Sequence, residues 1–234
     1  MIIGNREFKD RTYVMGILNV TPDSFSDGGT HNTIDTALKH TEKMINEGAD
    51  IIDVGGESTR PGYTLISDDE EISRVVPVIE KIKDNFDIPI SVDTYKSAVA
   101  EAAAKAGTDL INDIWGFKYD EKVAEITAKY NLACCLMHNR KEAVYNNFIE
   151  DVLSDLQESI SIAEKHGVNK DKIVLDPGVG FAKTYEQNLE IINRLEELHK
   201  LNCPILLGTS RKSVIALTLD LPVNERVEGT IATT

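Results

Sequence analysis

The sequence predicts an α/β protein folded as a TIM (β/α)8 barrel, with the eighth β/α unit absent from its 234 residues. Short apolar segments rich in β-branched residues alternate with helical patterns along the whole chain, which is typical of a strand–helix repeat. The segments are apolar throughout, as in parallel strands that helices cover on both faces. No linker or change of composition divides the chain, so we expect a single domain over residues 1–234. An open doubly wound sheet is the alternative fold.

Seven strand–helix units follow one another in the sequence. Clusters of apolar residues predict strands at residues 13–18, 51–54, 90–92, 110–111, 132–137, 173–175 and 205–207. The patterns between them predict helices at residues 33–47, 68–85, 97–106, 121–130, 148–166, 185–200 and 212–219, with another that begins near Asn224.

Residues that begin and end helices support these boundaries. Ser67 and Glu70 have the spacing of a capping box, and the acidic residues of that first turn complement the positive end of the second helix. Gly48, Gly107 and Gly167 follow the first, third and fifth helices, where glycine permits the left-handed backbone that ends a helix.

The eighth strand of a closed barrel is missing from this pattern. A complete barrel takes about 250 residues, whereas this sequence stops inside the helix that follows the seventh strand. Seven strands alone would leave the edges of the first and seventh strands unpaired. We therefore expect the natural polypeptide to continue for about 30 residues, one further β/α unit.

Composition excludes several classes of function. The chain has 25 Lys+Arg and 39 Asp+Glu, a net charge of −14, which argues against nucleic-acid or membrane-surface partners because both are polyanions. No stretch approaches 18 apolar residues, and the first residues lack the pattern of a secretory signal. Three cysteines, two of them adjacent, fit reduced thiols better than disulfides. We expect a cytoplasmic protein that acts on small molecules.

Two long loops follow the first two strands, on the side where barrels place their active sites. They run over residues 19–32 and 55–67, longer than the usual two to six residues of such connections. The returning loops are short. Because both long loops lie on the side that carries the active site, we expect them to take part in binding.

Polar residues end four of the seven strands: Asp53, Asp93, Asn112 with Asp113, and Asp176. Carboxylates at such positions can bind a hard cation, or accept paired N–H donors from a heterocycle such as the amino-pyrimidinone edge of a pterin or guanine. No close set of acidic and histidine ligands is present, which favours the heterocycle. His138 ends the fifth strand, and its role is open between a structural residue, a ligand and a base.

The segment after the seventh strand, residues 208–213, leads straight into a helix. Barrels commonly bind phosphate at this position, and Arg211 and Lys212 add local positive charge to an acidic protein. Because cations disfavour a helix N-terminus, their presence indicates that an anionic or electron-rich group is bound nearby.

Six motifs, taken in order, resemble those of the dihydropteroate synthase family of the folate pathway. They lie at residues 15–29, 53–62, 91–94, 112–113, 176–183 and 210–212. The resemblance covers the whole chain, and its first two motifs are long and specific. It implies a transferase that joins 6-hydroxymethyl-7,8-dihydropterin diphosphate to p-aminobenzoate, releasing diphosphate, with Mg²⁺ as cofactor. It also implies a homodimer.

The resemblance assigns residues to three parts of a site. The pterin pocket would comprise Asp93, Asn112, Asp176 and Lys212. Asn19 would bind Mg²⁺ and the diphosphate, and Thr59, Arg60, Phe181 and Ser210 would lie near p-aminobenzoate. Asp93, Lys212 and Asn19 would take part in catalysis, with Asp93 stabilising the cation-like methylene left when diphosphate departs.

One departure and two alternatives stand beside this interpretation. The family carries an Arg-x-His element on strand 8 that binds the diphosphate, and the sequence has no residues there. A pterin-binding methyltransferase domain of the corrinoid type shares the barrel and pocket, but has no diphosphate for Asn19 and the first loop to bind. A non-catalytic pterin-binding homologue would keep Asp176 and Lys212.

Overall fold

A computed structural model describes residues 1–21, 30–57 and 65–234. Most of the two predicted long loops, including Thr59 and Arg60, therefore lies outside the described residues. The strands are β1 (Ile2–Ile3), β2 (Arg6–Glu7), β3 (Met15–Asn19), β4 (Ile51–Gly55), β5 (Ile90–Asp93), β6 (Leu110–Asp113), β7 (Ala133–Met137) and β8 (Ile173–Asp176). The helices are α1 (Thr30–Asn46), α2 (Asp68–Asn85), α3 (Ser97–Ala106), α4 (Lys122–Lys129), α5 (Phe148–Lys165), α6 (Tyr185–Asn193), α7 (Ser213–Leu219) and α8 (Val227–Ala232).

Within the described part of the chain, β3 to β8 form one parallel sheet in chain order. A doubly wound sheet reverses its strand order at a switch point, and this sheet does not. The alternation of strand and helix with sequential pairing is that of the (β/α) barrel class, which confirms the predicted fold class. No helix among the described residues is long and apolar enough to cross a membrane.

The two sides of the sheet pack against different partners. Residues such as Ile52, Val54 and Leu136 are fully buried in a large core that includes residues of α1 to α7. Residues that alternate with them, including Ile51 and Cys135, form a second cluster with Ile3. The antiparallel β1–β2 hairpin contributes to this second cluster and packs over the amino ends of the parallel strands.

The structure differs from the predicted elements at both ends of the chain. The seventh predicted strand is reduced to a single parallel bridge between Leu175 and Ile205, with Leu206 donating its N–H to Leu175 at 2.9 Å. The predicted helix at 185–200 divides into α6 and a 3-10 segment, Leu195–Leu201. The β1–β2 hairpin was not predicted, because strands of two residues carry no periodicity.

Predicted helix boundaries are confirmed where they rest on specific side chains. Ser67 accepts a hydrogen bond from the N–H of Glu70 at 3.2 Å at the start of α2. Gly48, Gly107 and Gly167 have φ of +104°, +104° and +92°, one or two residues after the ends of α1, α3 and α5. Since left-handed backbone favours glycine, these positions end their helices as expected.

Candidate active site at the carboxyl ends of the strands

The strand register brings three of the predicted polar residues, Asn19, Asp93 and Asn112, into one row with Gly55. Asn19 pairs with Gly55, Gly55 with Asp93, and Asp93 with Asn112 across β3 to β6. A Cβ placed on Gly55 would lie 3.4 Å from Asn19 Oδ1 and 3.7 Å from Asp93 Oδ2. The missing side chain at Gly55 therefore leaves the amide and the carboxyl group facing the same space.

The carboxyl groups of Asp53 and Asp93, at the ends of neighbouring strands β4 and β5, lie close to each other. Asp53 is 3% exposed and its Oδ2 accepts a hydrogen bond from Asn112 Nδ2 at 3.2 Å. Oδ1 of Asp53 and Oδ1 of Asp93 are buried and have no hydrogen-bond partner among the described residues. Burial raises the pKa of Asp53, and burial together with the charge of Asp53 raises the pKa of Asp93 well above its ordinary value. Buried oxygens without partners need donors, which a bound ligand would supply.

Asp176 ends β8 on the same side. Its Oδ1 accepts a hydrogen bond from the N–H of Gly178 at 2.7 Å. Burial raises the pKa of Asp176 to about 6, while the Gly178 N–H and the charges of Lys212 and Lys183 act in the opposite direction. Near neutral pH this carboxylate is ionised and accepts hydrogen bonds.

Lys212 is the cation that faces these carboxyl groups. Burial lowers its pKa, and the charges of Asp176 and Asp93 counteract that effect. Its Nζ lies 4.4 Å from the centroid of the Phe181 ring, which is within cation–π distance. The positive charge predicted after the seventh strand is therefore directed at the ends of β5 and β8.

An apolar cluster lies beside the charged groups. Tyr95, Ile114 and Met137 are buried there, and Trp115 and Phe181 pack against them. A site with aromatic and aliphatic side chains next to directional acceptors suits a flat heterocycle, because the ring is desolvated while its polar edge is hydrogen-bonded.

The remaining predicted residues lie around this centre. Ser210 and Arg211 are exposed in the turn before α7. The backbone of Arg211 accepts from Arg226 Nη1 at 3.0 Å and donates to Thr230 Oγ1 at 3.4 Å. Asn19 is exposed at the end of β3.

Sequence reasoning missed two buried networks beside the site. In the first, Glu57 accepts hydrogen bonds from the Tyr95 hydroxyl at 2.6 Å, Lys96 Nζ at 2.8 Å and the N–H of Ile66 at 2.9 Å. Lys96 also forms an ion pair with Glu71 at 2.8 Å. The one feature of the sequence that could have indicated this network is the charged residue Glu57 inside the motif at 53–62.

The second network joins the turn after β8 to the end of β7. Lys183 Nζ lies 2.9 Å from His138 Nδ1, and His138 Nε2 lies 3.0 Å from Asp155 Oδ2. His138, whose role the sequence left open, is 2% exposed and belongs to this network. Lys183 is the last residue of the motif at 176–183, and this position in the motif could have indicated that it belongs to the site.

A parallel (β/α) fold with buried carboxyl groups, an amide and one lysine at its strand ends defines an α/β enzyme whose site takes a hydrogen-bonding heterocycle. The sequence model of the pterin binding enzyme family matches residues 15–234. The chain belongs to that family, among its dihydropteroate synthases.

Individual relatives agree over nearly the whole chain. The dihydropteroate synthase of Clostridium beijerinckii is 64% identical over 236 residues, which cover 100% of this chain and 88% of that protein. A dihydropteroate synthase structure from Clostridium difficile, determined with pteroic acid, has a TM-score of 0.94 and 52% identity, covering 100% of this chain and 87% of that one. One from Xanthomonas albilineans with 4-aminobenzoic acid has a TM-score of 0.90 and 42% identity, covering 96% and 82%.

Proposed function

We propose that this protein is a transferase of folate biosynthesis that condenses 6-hydroxymethyl-7,8-dihydropterin diphosphate with p-aminobenzoate to give 7,8-dihydropteroate and diphosphate. The observation that carries the proposal is the set of polar residues at the strand ends, with Asp53 and Asp176 buried and Asp93, Asn112 and Lys212 half-buried. This set offers acceptors and a cation to a single bound heterocycle.

Pterin recognition is assigned to Asp176, Asn112 and Lys212. The ionised Asp176 accepts the paired N–H donors of the amino-pyrimidinone edge, which one carboxylate can do with two oxygens. Lys212 donates to the carbonyl and ring nitrogen of the pterin. Asn112, held by Asp53, presents its amide oxygen to the ring.

The chemical step breaks the C–O bond between the pterin methylene and diphosphate and forms a C–N bond to p-aminobenzoate. The electron pair leaves with the diphosphate, the methylene becomes cation-like, and the attacking amine loses one proton. Asp93 lies at the end of β5, and its raised pKa is lowered by the charge of Lys212. The positive charge that develops on the methylene further favours the ionised form of Asp93, which stabilises that charge electrostatically. Exclusion of water from the apolar side of the site prevents hydrolysis of the cation.

Mg²⁺ fits this site as an ion held jointly with substrate. The described residues contain no group of three or more acidic, histidine or cysteine side chains that could hold a metal ion. Mg²⁺ does not need one, because it usually keeps several waters and binds through one or two protein oxygens plus substrate phosphates. The exposed Asn19 Oδ1 beside Gly55 is such an oxygen. The ion would neutralise the charge of the departing diphosphate.

The p-aminobenzoate site is assigned to Phe181, Ser210, Thr59 and Arg60. Phe181 packs against the apolar cluster and Ser210 is exposed in the turn before α7. An aromatic ring beside a polar turn suits a flat benzoate with a polar end. Thr59 and Arg60 are assigned by their place in the motif at 53–62.

A product assay tests this function. The protein is incubated with both substrates and Mg²⁺, and 7,8-dihydropteroate and diphosphate are measured chromatographically, with p-aminobenzoate omitted as the control. Equal amounts of both products, dependent on p-aminobenzoate, are expected. Pterin binding by calorimetry without any turnover would identify a non-catalytic pterin-binding protein instead.

The proposal extends to a cytoplasmic homodimer. Exposed apolar side chains cluster on α7, α8 and the segment between them, among them Leu217, Val227 and Ile231, each at least 59% exposed. Apolar patches of this kind mark protein interfaces. Sedimentation velocity is expected to give the mass of two chains, and Val227→Glu should shift it to one.

A further inference from the structure

The turn after β8 carries part of the proposed pterin site on an unusual backbone. Gly178, Gly180 and Ala182 have φ of +68°, +85° and +41°. A Cβ on Gly178 would lie 2.0 Å from the carbonyl oxygen of His138, so only glycine fits there. For Ala182 a positive φ is strained, because a residue with a Cβ disfavours it. Such a turn persists only where surrounding contacts determine it.

Lys183 provides contacts that hold this turn. Its Nζ lies 2.9 Å from the carbonyl oxygen of Gly178 and 3.1 Å from that of Phe181. The third neighbour is Nδ1 of His138, at 2.9 Å. An ammonium group has three N–H donors, and each of them faces one acceptor. A neutral amine would have two donors for three acceptors, so these contacts favour the charged form. Burial acts against it and lowers the pKa of Lys183 to about 7, so the lysine is charged at acidic pH, where Asp176 titrates.

His138 is fixed from its other side. Its Nε2 lies 3.0 Å from Asp155 Oδ2, and Arg140 Nε lies 2.6 Å from the same oxygen. Burial lowers the pKa of His138 to about 4, so the ring is neutral at pH 7. Because Nδ1 accepts from the lysine, Nε2 carries the proton and donates to Asp155. The histidine therefore orients the ammonium group toward the turn.

We propose that Lys183, oriented by His138 and Asp155, is a positioning residue for pterin recognition, which fixes the 177–183 turn and places a positive charge behind Asp176. This inference rests on the proposed function, since it specifies how that pterin site is kept in shape. It assigns a role to a half-buried lysine that does not take part in the chemical step.

The charges around Asp176 determine how the proposal is tested. Lys183 and Lys212 both lower the pKa of Asp176, against burial, which raises it to about 6. The other charged groups facing Lys183 are Asp155 and Arg140, and Lys118 faces His138 and Asp155. Asp53 and Asp93 also titrate in the pocket, so the informative quantity is the difference between a variant and the parent protein.

Lys183→Met removes the charge and the three donors at similar side-chain length. The matched control is Lys172→Met, since Lys172 Nζ also donates to a backbone carbonyl, that of Asn131, but at the amino end of β8. The affinity for 6-hydroxymethylpterin is measured by calorimetry between about pH 5 and 7.5, and melting temperatures report folding. Lys183→Met should bind more weakly at every pH, while Lys172→Met should match the parent.

The pH dependence of pterin affinity distinguishes an effect of the Lys183 charge on Asp176 from general damage to the fold. Loss of an opposite charge raises the pKa of a carboxyl group by about one unit or more. Binding is lost as pH falls through the pKa of Asp176, so the midpoint for Lys183→Met should move upward by about one pH unit. The added loss at pH 5.5 should approach about tenfold, the equivalent of one unit. Lys183→Gln, which keeps N–H donors without the charge, should recover affinity at pH 7.5 but keep the raised midpoint.

Three results are decisive. A Lys183→Met protein with the parent midpoint and affinity would overturn the proposal, and so would a loss of affinity equal at every pH, which reflects distortion alone. If Lys183→Met is insoluble, the midpoint of Lys183→Gln decides by the same criterion. A parent protein that does not bind 6-hydroxymethylpterin at any pH would overturn the proposed function itself.

Discussion

Replacing Asp176 by asparagine is the sharpest single test of the pterin site. The substitution keeps the shape of the side chain and leaves Oδ1 able to accept from the Gly178 N–H, which lies 2.7 Å away. It exchanges the second oxygen for an NH₂ group. That group would face the N–H donors of the pterin edge and would no longer attract the half-buried Lys212.

The size of the effect follows from the burial of Asp176. The residue is 8% exposed, so water does not replace the lost acceptor. Removing one partner of a buried charged hydrogen bond costs about 2–5 kcal/mol. At about 1.4 kcal/mol for each factor of ten, pterin should bind roughly 30-fold to 4,000-fold more weakly.

Asp109→Asn is the matched control, because Asp109 also accepts a backbone N–H and faces a lysine. Its Oδ2 lies 2.9 Å from the nitrogen of Ile90 and 3.0 Å from Lys83 Nζ, at the amino ends of the strands. Calorimetry with 6-hydroxymethylpterin at pH 7.5 should show parent affinity for this variant. Asp176→Asn binding within about threefold of the parent would refute the assignment of Asp176.

Stability provides an independent check on the same variant. Burial raises the pKa of Asp176 to about 6, so the folded state holds this proton more tightly than the unfolded chain. For an acid with a raised pKa, the contribution to stability is lost as pH rises through the window from about 4 to about 6. Asp176→Asn removes that cost, so its free energy of unfolding in urea at pH 7.5 should not fall below that of the parent while its binding is lost.

Three further predictions follow from the described residues. Asp93→Asn should lower kcat by about 100-fold or more with little change in pterin affinity, because the Asp93 charge acts on the cation-like methylene. Steady-state kinetics and calorimetry measure the two quantities, and equal losses of kcat and of pterin affinity would indicate a binding role only. Gly178→Ala should destabilise the fold by roughly 3 kcal/mol or more, because its φ is positive and the new Cβ would lie 2.0 Å from a backbone oxygen. Gly48→Ala, with φ of +104° and open space around the new Cβ, should show only the backbone cost of about 1–2 kcal/mol. Urea unfolding compares the two variants, and equal losses of stability would contradict the clash at Gly178. The three buried cysteines should resist iodoacetamide in the native protein and react in guanidinium, since burial raises thiol pKa values; rapid native labelling would contradict their burial.

The sequence predicted those parts of the fold that depend on local patterns. Apolar periodicity and capping residues predict strands β4 to β8 and helices α1 to α7, because both signals are visible in residues close together in the sequence. The acceptors at the strand ends were predicted because parallel strands end at one edge, so Asp93 and Asp176 had to meet there. The reduction of the seventh strand to one bridge at Ile205 depends on its pairing with β8, which no local pattern encodes.

Pairings between distant positions account for what was missed at the site. The hydrogen bond from Asn112 to Asp53 joins residues 59 positions apart, and that between Lys183 and His138 joins residues 45 apart. Each partner alone is equally compatible with a turn or a helix cap. The orientation of Lys212 toward Asp176, away from the solvent side of α7, likewise depends on burial that only the folded chain provides.

The sequential order of the sheet means that the site is assembled from many separate segments of the chain. Strands β3 to β6 and β8 contribute polar groups to the site, from Asn19 to Asp176, and Lys212 follows all of them in the chain. The cation that balances the amide and carboxyl groups therefore comes from the segment of the chain that follows all of their strands. Because the acceptors and the cation come from segments spread along the chain, we expect pterin binding to require the completed fold, so it would report native assembly rather than a first collapse.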